Sequence, residues 1–570
     1  MSDGERPRLC AVVLAGVLAA LVMIHYHDVS WYAPDEGSYA HVAERILDGE
    51  VLHRDVQDVH PGYINFVNAF ALKVFGERLV SMRYPLVLLA MVQGAAVAWL
   101  LAHRGFLVAV AAGVATPFAG MLLFPGPSAN WYGLTFALML AVVLERTTGA
   151  RRQTALLAGL VCGLALMFRQ LTGAILGAAA LVQLMLLQDP EEARAPRRPW
   201  LARAVVAVAL AGTLGYVVWS TDAVGLILFG AVPLLVLLVS LAEVHPSNAE
   251  AGRRLGWFAA GIAIGALPMA VYVLGTGTVG EFFEDTVGVA LAIPGVEEFT
   301  YRSYATYLTL GTLGVASLMP AATLTGAFWL ALVCAPLGLA LAIARRLFRG
   351  VRMRDLGGAV LVGAFAGLLM LHTPSPLYIG AGAPAVGVAL MRLGRGPSRP
   401  WLIAAILVIT CSAAWQVGWS RAIVNIWGRG QRPELVDGGG RNGLRIPMAA
   451  AHWYDGMLHE IARRTEPGDA IFVLPSNAEL YFLARRRNPT RFFNFALGVR
   501  TAGSRDSLLG AFDRDPPRLV VYDPRDLFHS THEFAVVRWA ARYSDQVVRQ
   551  DHVWIFAIRP GTPADAGGKH

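Results

Sequence analysis

The sequence predicts a polytopic α-helical membrane protein with a C-terminal α/β domain outside the membrane. Three observations predict it. Hydrophobic residues make up 55% of the 570-residue chain against 15% charged, with mean hydropathy +0.50, a balance unlike that of a soluble globule. Apolar runs long enough to cross a bilayer recur up to about residue 420. Beyond that point they stop, and short strand-like and helical segments alternate. The net charge of +8 comes from short arginine clusters between apolar runs, which read as topology signals. No basic–aromatic array suggests a nucleic-acid partner; membrane lipids are the expected surroundings.

Candidate spans fall at about 9–27, 84–103, 105–124, 129–146, 153–168, 171–187, 201–219, 223–242, 256–275, 320–344, 356–372, 376–394 and 399–419, about thirteen crossings. The first follows Arg6 and Arg8 but ends in HYHD rather than a small-residue cleavage site, so it reads as a retained span. The 305–344 region is ambiguous, because SLMP can end an interfacial or re-entrant piece before the span proper. With the N-terminus cytoplasmic, Arg104, Arg146, Arg151, Arg152, Arg194, Arg197, Arg198, Arg253, Arg254 and the run ARRLFRGVRMR all fall inside. Thirteen crossings then place the C-terminal part outside the plasma membrane of a prokaryote. The four cysteines lie in apolar segments without CxxC spacing, which argues against disulfides and zinc.

The expected division is a membrane domain over 1–420 and an extracytoplasmic domain over 421–570. In the latter, AIFVLP (470–475), RLVVYD (518–523) and HVWIFAI (552–558) read as strands, with AAAHWYDGMLHEIARR and AELYFLARRR as helices.

The first outside loop, about 28–83, is far longer than a connection requires. It is dense in acids and holds His41, His53 and His60. Two surface helices are legible in it. In the first, Tyr39, Val42, Ala43, Ile46 and Leu47 form an apolar stripe opposite the acids and His41. Pro61 starts the second and Gly76 stops it, with Tyr63, Phe66, Val67, Phe70 and Val74 as its stripe. Both are expected to lie along the membrane surface. Asp35 reads as a helix N-cap, a base, or both, and Glu36 as a first-turn acid. Asp55, Asp58 and His60 form a second polar knot, open to a divalent cation or to plain solvation.

The order of these pieces resembles the GT-C glycosyltransferases, in particular the protein O-mannosyltransferases and the lipid A aminoarabinose transferases. The segments that carry the resemblance are PDEGSYAHVAERILDGE, VHPGYINFVNAFALKVFGE and RYP, the last entering the second span. The resemblance implies a GT-C-like fold and an inverting transfer of a sugar from a polyprenyl-phosphate carrier to a lipid, glycan or protein acceptor on the outer face. By position it makes Asp35 catalytic and Glu36 its companion. Two departures stand out: Ser38 replaces a basic residue of the aminoarabinose branch, and His60 precedes Pro61-Gly62 where that branch has a lysine before Pro-Pro.

A phosphate-bearing donor needs cations outside. Arg169, Arg302 and His372 are the candidates, with Asp58 and His60 as further substrate contacts. Their plainer readings are an interfacial snorkelling arginine, an aromatic belt around Arg302, and a helix-end cap. No cofactor is required by this scheme; a divalent cation near Asp55 and Asp58 is the alternative to arginines alone. The rival functions are a transporter or flippase of lipid-linked sugars and a non-catalytic envelope-assembly protein.

Overall fold

The computed structural model describes residues 5–146, 152–187, 199–292, 303–371, 374–394, 434–526 and 528–559. Arg302, His372, the segment expected as the last span (399–419) and the expected boundary at 420/421 lie outside the described residues.

The chain is a polytopic helical membrane protein capped by a small sheet-containing unit. Its apolar bundle helices are α1 (Glu5–Tyr26), α4 (Tyr84–Leu101), α5 (Phe106–Ala119), α6 (Ala129–Glu145), α7 (Arg152–Phe168), α8 (Gln170–Leu186), α9 (Trp200–Ser220), α10 (Ala223–Glu243), α11 (Asn248–Thr276), α13 (Pro320–Phe348), α14 (Gly358–Met370) and α15 (Pro376–Leu393). Eight helices among the described residues are long and apolar enough to cross a bilayer. Several of the rest are shorter: α6, α7 and α8 have 17 residues each, near the lower limit for a span. Each expected span up to residue 394 coincides with one of these helices. The ambiguous 305–344 region resolves into α12 (Ala305–Ala316) folded back on α13, with Gly326 against the Gly311 carbonyl.

Glycines set the closest helix crossing. A Cβ on Gly159 of α7 would lie 2.1 Å from the Phe258 carbonyl oxygen of α11, and one on Gly261 would lie 2.1 Å from the Leu156 oxygen. With Gly163 and Gly265 these make two facing small-xxx-small stripes, the device that lets membrane helices approach backbone to backbone.

The loop between α1 and α4 carries α2 (Ala33–Leu47) and α3 (Tyr63–Phe75). The first does not pack as expected. On α2 the supposed polar face is buried too: His41 is 2% exposed and stacks on Tyr481, with ring centroids 4.6 Å apart. The cause is the C-terminal unit, which lies on α2 so closely that a Cβ on Gly37 would meet the Glu479 backbone at 2.5 Å. On α3 the buried residues are Ile64, Asn65, Asn68, Ala69, Ala71 and Leu72, whereas Phe70 and Val74 of the expected stripe face outward.

In the C-terminal unit, β1 (Leu435–Asp437) pairs antiparallel with β2 (Arg445–Pro447). The main sheet has the order β3-β4-β6-β5, from β3 (Ile471–Leu474), β4 (Leu519–Tyr522), β5 (Ser544–Gln550) and β6 (Val553–Ile558). β3 and β4 are parallel; β6 is antiparallel to both β4 and β5. Helices α16 (Met448–Arg464), α17 (Glu479–Ala484), α18 (Ala502–Arg514) and α19 (Glu533–Tyr543) cover it. Polar clamps tie this unit to the α1–α4 loop and to the segment after α11. Arg445 pairs with Asp28 and Arg45 donates to the Thr490 carbonyl at 2.6 Å, both in the loop, while Arg491 holds the wholly buried Asp285, beyond α11, at 2.8 Å.

Candidate active site

Asp35 stands in the first turn of α2, after Pro34. The N-cap is Tyr32 and makes no side-chain cap, so the expected N-cap role of Asp35 is not what the backbone shows. The Asp35 carboxyl instead lines a cavity of ≈ 180 Å³ together with Asp58, His60 and Arg169. These candidates lie up to 134 residues apart in sequence, on three separate segments. Burial, with the neighbouring Glu36 charge second, pushes the Asp35 pKa up to about 7, while the nearby His60 pulls the other way.

Glu36, expected as the catalytic companion, does not line that cavity. It is 1% exposed and both of its oxygens are held by Arg83, Oε1 by Nη2 at 2.6 Å and Oε2 by Nε at 2.9 Å. The remaining N–H groups of Arg83 go to the carbonyls of His27, Val29 and Ser30. All five guanidinium donors are used, so the pair knits the end of α1, the start of α2 and the entry to α4 into one rigid floor. The arginine of the RYP motif thus serves Glu36 rather than a ligand.

Asp58 and His60 are joined by a turn of the chain. Asp58 Oδ1 accepts both the His60 backbone N–H at 2.7 Å and ring Nδ1 at 2.8 Å, an Asx-type arrangement that Pro61 and Gly62 complete. Gly62 has φ +134, and a Cβ there would lie 2.3 Å from Met269 Cε, so a glycine is required. Burial alone would raise the Asp58 pKa; His60, when it carries a proton on both ring nitrogens, and its two hydrogen bonds outweigh it and hold the carboxyl below its ordinary value. Asp55 is turned away onto Arg54, so of the polar knot of Asp55, Asp58 and His60 only the last two meet. Among the described residues no group of three or more metal-ligating side chains converges.

Arg169 interrupts two membrane helices. It has an extended backbone (φ −156, ψ 111) and is the N-cap residue of α8. It is 9% exposed, lies 5.1 Å from the Tyr378 ring centroid and reaches Thr172 Oγ1 at 3.5 Å. Gln170 beside it anchors the site, donating to the carbonyls of Val59 at 2.9 Å and Thr286 at 2.7 Å.

Two features of the cavity were not singled out from the sequence. First, helix N-termini converge on it. Ser128 and Asn130 come from the start of α6, Arg169 from the start of α8, and Leu377 and Tyr378 from the start of α15. Ser128 and Ser375 are the N-caps of α6 and α15. Their positions within PGPSAN and SPLY were the available signals. Helix N-termini carry partial positive charge and free N–H groups, so with Arg169 they make one wall of the cavity favourable to an anion. Second, Phe493, Asn494, Leu497 and Phe528 of the C-terminal unit form part of the lining. No local sequence signal announces that, because it depends on how the unit docks.

No family model matches the chain, and no curated protein matches it. One solved structure that is similar is described as ArnT from Cupriavidus metallidurans bound to undecaprenyl phosphate. The likeness covers 96% of this chain and 97% of that one at 14% identity and a TM-score of 0.45, too little to transfer a residue or an activity.

Proposed function

We propose that this chain is an integral-membrane inverting glycosyltransferase of the GT-C type, moving a sugar from a polyprenyl-phosphate carrier to an acceptor hydroxyl on the outer face. The observation that carries the reading is the polarity of one cavity: a carboxylate base, Asp35, shares it with Arg169 and the N-termini of three helices. The sequence resemblance described above points the same way. A carboxyl with pKa about 7 is poised to take a proton near neutral pH. The acceptor oxygen attacks the anomeric carbon from the Asp35 side as its proton passes to that carboxylate. The bond from that carbon to the phosphate oxygen breaks, and its electron pair leaves with polyprenyl phosphate. Arg169 and the helix N-termini stabilise the charge that gathers on the departing phosphate. Asp58 and His60 complete the polar side near Asp35; Arg302 and His372 remain candidate substrate contacts on sequence grounds.

The test is turnover by the purified full chain with a panel of polyprenyl-phosphate sugars. Asp35→Asn is expected to lower kcat by about 10³-fold or more while retaining binding of undecaprenyl phosphate. Near-normal turnover in that variant, or no transfer from any such donor by the natural protein, overturns the proposal.

A further inference from the structure

The displacement leaves a proton on Asp35, a carboxyl in a buried cavity, and the next cycle cannot begin until that proton has gone. The cavity holds a group built to take it. His60 is pinned from two directions: Asp58 Oδ1 accepts its backbone N–H at 2.7 Å and its ring Nδ1 at 2.8 Å. That pinning commits Nδ1 to the proton it shares with Asp58 and leaves Nε2 as the working nitrogen. Nε2 lies 3.4 Å from the Tyr39 hydroxyl, and Tyr39 stands one helical turn after Asp35 on α2. Burial first, and then the charges of Asp35 and Asp58, keep this phenol protonated. The groups facing this array are therefore Asp35 and Tyr39 from α2, Asp58 from the turn before α3, and Arg169 with Tyr378 from the opposite wall.

We infer that Asp58 and His60 form a proton relay that resets Asp35, with His60 Nε2 as the acceptor and Asp58 as the residue that positions and stabilises the imidazolium. This inference rests on the glycosyltransfer reading. The proton taken from the acceptor hydroxyl sits first on Asp35. The Asp35 O–H bond then breaks as an Nε2–H bond forms, directly or across Tyr39, and the carboxylate is restored. The imidazolium, paired with Asp58, loses that proton to water. No electron transfer or further reactant is involved. The arrangement has the logic of an acid–histidine pair serving a third group, in which the carboxylate fixes the tautomer and does not itself take the proton.

The experiment compares the full-length protein with His60→Ala and Asp58→Asn under multiple turnover, with and without added imidazole. His60→Ala is expected to lower kcat by about 10²-fold with the donor KM changed less than about threefold, and imidazole is expected to restore part of the rate. Asp58→Asn is expected to lower kcat less and to respond weakly to imidazole, because its ring remains in place. Should His60→Ala not fold, His60→Gln is read the same way against its own undecaprenyl phosphate binding. An unchanged kcat overturns the relay. So does a loss that appears mainly in donor KM and that imidazole does not relieve, which would make His60 a phosphate ligand. Absence of transfer by the natural protein is a separate outcome and removes the glycosyltransfer reading itself, and the relay with it.

Discussion

The two ends of the helix bundle treat the same backbone dipoles in opposite ways. At one end, helix C-termini are closed by the protein's own arginines. Arg254 donates to the Leu184 and Leu187 carbonyls at the end of α8, Arg392 to Leu100 at the end of α4, and Arg104 to Met391 and Gly394 at the end of α15. At the other end, α8 and α15 open their N-termini, with that of α6, onto the Asp35 cavity. A bundle that closes its negative ends internally and turns its positive ends to a cavity has arranged a seat for an anion there. Adjacent carboxylates repeat the contrast on a smaller scale: Glu36 is locked by Arg83 into the frame, while Asp35 faces the cavity.

The comparison can be broken at its strongest bond first. Arg83→Met leaves the Glu36 carboxylate buried without its partner, and a loss of about 3–5 kcal/mol of stability is expected. Thermal unfolding in detergent measures it; a small shift would mean that Glu36 is not part of the frame. Arg169→Ala removes the cation of the open end, and undecaprenyl phosphate binding is expected to weaken about tenfold or more, in line with about 1.5–3 kcal/mol for a hydrogen bond to a charged group. Equilibrium binding reads this, and unchanged affinity would separate Arg169 from the anion.

The third prediction uses pH. Folding raises the Asp35 pKa to about 7, so between its ordinary carboxylate value and about 7 the folded chain binds more protons than the unfolded one. Asp35 therefore costs stability progressively as pH rises through that window. Asp35→Asn is expected to raise the unfolding temperature at pH 8 and to leave it unchanged near pH 4. Over the same range, transfer by the natural protein should rise with pH through about 7 as the base form fills. The smallest effect belongs to the closed end. Arg104→Ala, which removes the cation from the C-terminus of α15, should cost about 1 kcal/mol, as a helix-end cation does, with undecaprenyl phosphate affinity unaltered.

Much of this was legible before any coordinates. The spans, the arginine clusters that share one end of the bundle, the strands at 471–474, 519–522 and 553–558, and both loop helices follow from local pattern. Asp35, Asp58, His60 and Arg169 were named from sequence, and the structure gathers them around one cavity. What failed was a judgement about a face. His41 and the acids of α2 read as a solvent face. The error arises because periodicity reports that a helix has two sides without saying what covers each, and here the C-terminal unit and the bundle share α2 between them.

The sequence by itself determined which segments are helices and where titratable residues cluster, because hydropathy, helix-breaking residues and charge act over a few neighbouring positions. Only the tertiary structure decided that Glu36 belongs to Arg83 while Asp35 belongs to the cavity. It alone brought Ser128, Tyr378 and Asn494 to the same wall. The Arg83–Glu36 pair joins residues 47 positions apart and the Arg45–Thr490 contact residues 445 apart; such contacts are selected by the burial of whole elements against one another, a quantity that no local stretch of chain contains.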